Sequence, residues 1–387
     1  MKANEKIKVL FRHRSMEMGG VEKVLLGMLK NLNPNKFDIS LSLNLFQGEL
    51  RNEIPENIPF KTLAKGKEDF SKNSVILKIQ LAFRRIKLFF LRKFPAITDI
   101  FILKNDADVE IATGYTMFSD VLNSSNKKSK KIGWFHSDIT YPKLQPVVPL
   151  ILKQIPQFDY FIWGSQQAKD IFLETYPNTK LPENQVILNA IPINELKEKA
   201  NEFQPDFKTQ KPVFVTVGRL HTRKGHHKLM DAHAQLLKDG FPHTIVVIGD
   251  GEEKENLENQ ANNLNVQSSF QLLGSLLNPY PYVKNADFFI LPSESEGWPL
   301  IIAETLILQK PIISTNVGGI PEMIEHKKNG YLIDYETNEM YDAMKEFMTN
   351  HYLIKEIREN LKNAEQQFDN RKIFDAVENI ILKLAEK

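Results

Sequence analysis

The stretch from Leu291 to Glu304, LPSESEGWPLIIAE, sets two carboxylates, Glu296 and Glu304, around a polar turn and a helix start. Pro299 suits a first helical turn, where its missing N–H costs nothing, so Glu296 falls in the loop and Glu304 on the helix. A loop feeding a helix N-terminus leaves backbone amides pointing outward, here around Gly297, Trp298, Pro299 and Leu300, and such a terminus binds anions. Amides suit phosphates and carboxylates suit hydroxyls; a sugar nucleotide presents both. The same residues also read as two solvated charges beside a helix cap. Upstream, Gly218-Arg219-Leu220-His221-Thr222-Arg223-Lys224-Gly225 places Arg219 and Lys224 either side of a turn whose helix begins near His227. Two cations over a helix N-terminus fit a diphosphate, or are plain surface charge. In the first half, Gly19-Gly20 follows an apolar strand and opens a helix, and His136 follows another strand in Ile132–Asp138. The C-terminal edge of an open α/β sheet is where ligands bind, although a Gly-Gly turn and a lone histidine each have a purely structural reading.

The elements that must position these residues follow from periodicity. Ile7–Phe11, Phe37–Leu45, Lys61–Leu63, Asp108–Ala112, Lys131–Phe135, Phe158–Trp163 and Val186–Leu188 read as strands. Helices are expected between them, as over Val21–Leu32 and Gln166–Glu174, and strands alternating with helices predict a parallel sheet covered on both faces. From Asn189 to Pro212 the pattern fades into Glu, Lys, Asn and Pro, the composition of an interdomain link. A second series then begins: Pro212–Val217, Thr244–Ile248, Phe270–Leu273 ending at Gly274, Ala286–Leu291, Pro311–Ser314 and Tyr331–Ile333, with Glu339–Phe347, Leu353–Phe368 and Lys372–Leu384 helical. Gly274 is placed to meet a nucleobase through its backbone.

A chain of 387 residues exceeds one typical core and predicts two domains. The formal net charge of +2 provides no field that demands nucleic acid. The lack of cysteine excludes disulfides, thiol catalysis and thiolate metal sites, and fits a reducing cytoplasm. Met1–Leu10 passes from charge into a short apolar run without the long h-region of a signal peptide. No uninterrupted apolar stretch reaches the ~18 residues of a membrane span.

Residues 72–94 are unlike the rest. From Ser71 to Thr98 the basic residues are Lys72, Lys78, Arg84, Arg85, Lys87, Arg92 and Lys93, and there is no acidic one. At helical spacing Ile76, Ile79, Phe83, Ile86, Phe90 and Phe94 form one stripe, with Lys78, Arg85 and Arg92 roughly opposite. Leu81, Leu88 and Phe89 interrupt the polar face. Two readings stand: a helix lying on an anionic membrane surface, or one packed into the first domain with a basic rim.

Taken in order, Arg219 with Lys224, Gly249-Asp250-Gly251, Asn278-Pro279-Tyr280, Pro292-Ser293, Glu296-Gly297-x-Pro299 with Glu304, and Gly318-Gly319 with Glu322 resemble the second domain of family-4 retaining glycosyltransferases. Gly19-Gly20-Val21-Glu22 and Trp134-Phe135-His136 resemble that family's N-terminal acceptor domain. The resemblance implies the α/β GT-B architecture, two Rossmann-like domains with parallel sheets facing across a cleft. It assigns 1–190 to acceptor binding, with the helix 371–387 crossing back to it, and 191–370 to the nucleotide sugar. It also implies roles: Glu296 on the donor sugar's ring hydroxyls, Glu304 on the ribose, Arg219 and Lys224 on the diphosphate with Gly19 and Gly20 approaching it, and His136 near the reacting carbon. Where the family carries a glycine at the exit of the second glutamate's helix, this chain has Gln309-Lys310.

The expected activity is transfer of a sugar, with retention, from a nucleotide-diphosphate donor, in the first place a UDP-sugar, to a glycan or lipid-linked acceptor of a bacterial-type surface polysaccharide. It would take place in the cytoplasm or at the inner face of its membrane. No cofactor or metal is expected: Asp106-Ala107-Asp108 has the Asp-x-Asp pattern of metal-dependent sugar transferases, but it precedes its strand, at the wrong end for a ligand edge. Two retaining carboxylates of the hydrolase kind are not suggested either. A nucleotide-sugar epimerase, a sugar phosphorylase using pyridoxal phosphate, and an inactive GT-B binding subunit are the alternatives.

Overall fold

The computed structural model describes residues 5–207 and 212–386. Its Cα packing divides the chain into two compact units, Met1–Ala190 with Asn370–Lys387, and Ile191–Asp369.

In the first unit the strands are β1 (Ile7–His13), β2 (Phe37–Phe46), β3 (Phe60–Lys65), β4 (Val109–Ala112), β5 (Lys130–Phe135), β6 (Tyr160–Trp163) and β7 (Glu183–Val186). They form one parallel sheet in the order β3-β2-β1-β4-β5-β6-β7. A sheet covered on both faces needs strands that are apolar almost throughout, and β4 and β6 are buried at every residue. β7 departs from the sequence reading of Val186–Leu188. The paired segment is the polar Glu183–Val186, whose residues alternate exposed and half-buried, so no apolar run marks this edge strand.

The second unit contains β8 (Val213–Val217), β9 (Thr244–Ile248), β10 (Phe270–Leu272), β11 (Phe288–Leu291), β12 (Ile312–Thr315) and β13 (Tyr331–Ile333), parallel in the order β10-β9-β8-β11-β12-β13. The order reverses direction at β8, so the loops leaving β8 and β11 diverge and open a crevice at their C-terminal ends. The stretch read as a bare link contains a helix, Ile193–Lys199, which belongs to this unit and buries Leu196. Residues 208–211 of that stretch lie outside the described residues, as does Lys387 of the terminal segment.

The helix Asn370–Ala385 packs on the first unit. Its buried Glu378 accepts the Asn33 amide at 2.8 Å and pairs with Lys36 at 2.8 Å, and Lys383 pairs with Glu183. The helix Leu300–Ile307 closes with a Schellman motif, Lys310 N–H donating to Thr305 O at 3.1 Å and Gln309 N–H to Leu306 O at 2.9 Å. Gln309 holds the left-handed position, φ 57°, that a glycine usually fills. The exit geometry is kept, at the cost of strain in a side-chain-bearing residue.

Candidate functional site

Loops from five parallel strands of the second unit meet at its C-terminal edge, and backbone contacts lock them. After β8 the chain makes the 3-10 turn Thr222–Lys224 and passes through Gly225, φ 69°, into the helix His226–Lys238. A Cβ on Gly225 would lie 1.9 Å from Pro292 O, so only glycine lets this turn abut the loop leaving β11. Glu294 N–H donates to Arg223 O at 2.7 Å across that junction. On the other side Thr315 Oγ1 donates to Ser293 O at 2.6 Å, and Gly318, φ 58°, approaches so closely that a Cβ would lie 2.1 Å from Glu296 O. Loops this tightly held fix their side chains in advance of any ligand.

Glu296 and Lys224 meet there. Lys224 Nζ lies 2.5 Å from Glu296 Oε1, which also accepts Ser293 Oγ at 2.6 Å. Arg223 Nη1 lies 3.8 Å from Glu296 Oε2 and donates to Ser295 O at 2.7 Å. Glu296 is only 7% exposed. Burial alone would raise its pKa; the charges of Lys224 and then Arg223, with the hydrogen bonds from Lys224 and Ser293, outweigh burial and hold the carboxyl below its ordinary range. An ionised, enclosed carboxylate accepts hydrogen bonds and does not supply a proton. Lys224 itself ends the 3-10 turn, one residue before the Gly225 N-cap of the helix His226–Lys238.

Glu304 is separate from this cluster. It lies in the helix Leu300–Ile307, is 3% exposed, and accepts the Tyr280 hydroxyl at 2.8 Å. Burial and the charge of Glu304 push the Tyr280 hydroxyl well above its ordinary pKa, so it stays a donor. Pro299 is the N-cap rather than the first helical residue, and it makes no side-chain cap hydrogen bond. Gly297 O accepts Gly319 N–H at 2.5 Å, and Trp298 is buried with its ring 6.3 Å from that of Phe368. Gly274, φ 77°, has open space where a Cβ would stand.

The structure places Arg219 differently from Lys224. Arg219 is exposed, between Gly218 and Leu220, whose amides bond Ile248 O and Asp250 O. The cation that joins Lys224 at Glu296 is Arg223, which the sequence reading quoted without a role; its neighbour in the same 3-10 turn was the available signal. Ser293 and Tyr280 were likewise quoted as motif letters, and their hydroxyls turn out to hold the two glutamates.

In the first unit Gly19 is the N-cap of the helix Gly20–Asn31, and a Cβ on it would meet Glu22 Oε2 at 2.4 Å. His136 follows β5 and stacks on Trp134, ring centroids 5.2 Å apart, in a space that Gly164 leaves open. Asp106 pairs with Lys8, and Asp108 accepts the Lys8 amide at 2.8 Å, both at the N-terminal end of β4.

Two Rossmann-like units with this strand order, the second carrying an enclosed carboxylate–ammonium pair at its switch point, define a GT-B glycosyltransferase fold. Anabaena HepE, crystallised with UDP-glucose, shares it: TM-score 0.77 over 97% of this chain and 100% of that one, at 19% identity. Residues 197–368, a little under half of this chain, match the family model described as glycosyl transferases group 1. It is 25% identical over 375 residues, 93% of this chain and 95% of the other, to the N-acetylgalactosamine-N,N'-diacetylbacillosaminyl-diphospho-undecaprenol 4-alpha-N-acetylgalactosaminyltransferase of Campylobacter jejuni. It is 26% identical over 158 residues, 41% of this chain and 44% of the other, to the amylovoran biosynthesis glycosyltransferase AmsD of Erwinia amylovora.

Proposed function

We propose that the chain is a family-4 retaining hexosyltransferase, independent of metal, that moves a sugar from a UDP-sugar to a glycan or lipid-linked acceptor in surface-polysaccharide synthesis. The observation that carries this reading is the ion pair of half-buried Lys224 with buried Glu296 at the β8–β11 crevice. Glycosyl transfer breaks the bond from the sugar's C1 to the diphosphate, with the electron pair leaving on a phosphate oxygen. Lys224, Arg223 and Arg219 are cations on the loop that would stabilise this charge, aided by the N-terminus of the helix His226–Lys238. Glu296, kept ionised, would accept hydrogen bonds from the sugar's hydroxyls as C1 gains positive character. The acceptor oxygen would bond C1 on the face the diphosphate leaves, and its proton would pass to the departing phosphate.

Glu304, oriented by Tyr280, would hold the ribose hydroxyls. The backbone near Gly274 would meet the base, and the amides about Gly297, Trp298, Pro299 and Leu300 the donor. Gly19 and Gly20, at the diphosphate, and His136, near the reacting carbon, enter through the family resemblance. The names of the Campylobacter relative and the HepE complex support a lipid-diphosphate acceptor and a uridine donor respectively. Such an acceptor lies in a bilayer, so the enzyme would work from the cytoplasm at the inner face of that membrane. Among the described residues no helix is long and apolar enough to cross one.

The test begins with thermal shifts against UDP-, GDP- and ADP-sugars, since a ligand of the native state raises the melting point. Proton NMR of the product formed in EDTA then reads its anomeric configuration. The donor's configuration is expected to be kept. Inversion, a metal requirement, or epimerised donor without acceptor would each reject the reading.

A further inference from the structure

The helix Ser74–Lys93 is fastened by one face and bare on the other. At about 100° per residue Leu77, Leu81, Arg84, Leu88 and Leu91 share one side, and these, with the adjoining Gln80, are the residues withdrawn from solvent, Leu91 fully and the others in part. Leu81 and Leu88, which interrupt the polar face in the sequence pattern, are thus part of the packing face. Arg84 serves the same attachment: Nη1 donates to Gln47 Oε1 at 3.0 Å and its guanidinium lies 5.6 Å from the Phe70 ring centroid. Arg92 anchors the last turn on Asp120 at 3.4 Å.

The opposite arc is apolar and in water. Ile79, Ile86 and Phe90 are exposed along it, Phe83 is 69% exposed and Phe89 67%. Lys78 and Arg85 edge this arc on one side and Lys87 on the other, all exposed, and Lys93 ends it. The apolar surface continues past the expected segment. The short helix Pro95–Ile97 and the π-helix Thr98–Leu103 follow directly, with Thr98 and Asp99 buried but Ile97, Ile100 and Phe101 exposed, Phe101 by 74%. A globular fold gains nothing by holding this many large apolar groups in solvent; a surface of this kind is an interaction face.

We infer that residues 74–101 form one lipid-docking face, in which the Phe83–Phe89–Phe90 arc and the Ile100–Phe101 step enter the interfacial region of an anionic bilayer while Lys78, Arg85, Lys87 and Lys93 meet its headgroups. The charge pattern selects this partner. The chain as a whole is nearly balanced, with 50 basic and 48 acidic residues, yet from 71 to 98 it has no acid. A protein partner would be met by mixed charge; an anionic surface attracts cations around a hydrophobic strip. This inference rests on exposure and charge and stands apart from the transfer reading.

The test is co-sedimentation of the full chain with phosphatidylglycerol-containing and with pure phosphatidylcholine vesicles. Binding is expected to the first, weakening with salt, and far less to the second. Replacing Lys78, Arg85, Lys87 and Lys93 by Gln should lower partitioning at least about tenfold. Phe83→Ser with Phe89→Ser should lower it further, and Ile100→Ser with Phe101→Ser should lower it independently. Every position lies on the exposed face, and an unchanged melting point confirms that the fold survives. No binding by the wild type, equal binding to both vesicles, or unchanged binding by the serine variants would overturn the inference. So would light scattering that shows the face consumed in a dimer.

Discussion

At the ends of β8 and β11 a carboxylate is taken almost wholly out of water beside a half-buried ammonium, while along Ser74–Phe101 large apolar side chains are left in it. Both arrangements run against what a fold does for its own stability. In the second unit the departure is compensated: Ser293, Arg223 and Lys224 surround Glu296, and Gly225, Gly318 and Thr315 fasten the loops. In the first unit nothing among the described residues covers the apolar arc. A compensated departure is a site built in advance for a small polar ligand. An uncompensated one is a face whose complement is another phase. The two regions therefore ask for different experiments, one on chemistry and one on attachment.

The sharpest way to break the comparison is at Glu296. Glu296→Ala should reduce transfer at least about 10²-fold, the size of a lost transition-state contact. Glu296→Gln keeps the volume and the Ser293 contact, and separates lost charge from a gap beside Lys224. Near-normal turnover in either variant would make the pair structural and the contrast between the regions empty.

Next in size is a pH effect on stability, read here in the second unit; in the first unit His136 is lowered to about 3 in the same way, by burial and then by His13. In the second unit the buried His226 and His233 have pKa values pushed down to about 3, first by burial and then by Lys224 and His243 respectively. His243 is lowered as well, again by burial. His243 Nδ1 lies 2.8 Å from Phe241 O, His243 Nε2 2.7 Å from His233 Nδ1, and His233 Nε2 2.9 Å from Ser269 Oγ. With both rings held neutral by burial, His243 Nδ1–H donates to the Phe241 carbonyl, His233 Nδ1–H donates to His243 Nε2, and His233 Nε2 accepts the Ser269 hydroxyl. A folded pKa below the unfolded value of about 6.5 means that the unfolded state binds more protons in between. This stability is present above that value and is lost as pH falls toward about 3. Hydrogen exchange in the second unit should quicken from about pH 7.5 to about pH 5 once corrected for intrinsic rates; a flat profile would contradict the neutral assignment.

The smallest effect is at Gln309, whose left-handed backbone is strained. Gln309→Gly should raise stability by about 1 kcal/mol, read as a higher denaturation midpoint, with UDP binding unchanged. A loss of stability would show that the glutamine side chain contributes more than its backbone costs.

Much of this could be read from residue order. The β8–β9–β10 and β11–β12–β13 series lie within a residue or two of their apolar runs, because a doubly covered parallel sheet writes its strands as such runs. β7 does not, since one edge faces water and Glu183-Asn184-Gln185 carries no apolar signal. The helix Ile193–Lys199 escaped because its buried contribution rests chiefly on Leu196 amid charge. At the site, Glu296 and Lys224 were legible by type and position, but their direct pairing was not. It depends on Gly225 and Gly318 drawing two loops together across some seventy residues of sequence. The place of Arg223 beside Glu296 has the same origin: the 3-10 turn Thr222–Lys224 sets it next to Lys224, and spacing alone does not say which cation of the loop reaches the carboxylate.

The most direct test is a calorimetric titration of UDP into the wild type and into Lys224→Ala, in EDTA. The account predicts binding by the wild type and affinity lowered about tenfold or more in the variant, the loss of one charge-assisted contact to phosphate. Equal affinities would remove Lys224 from the diphosphate and contradict the account.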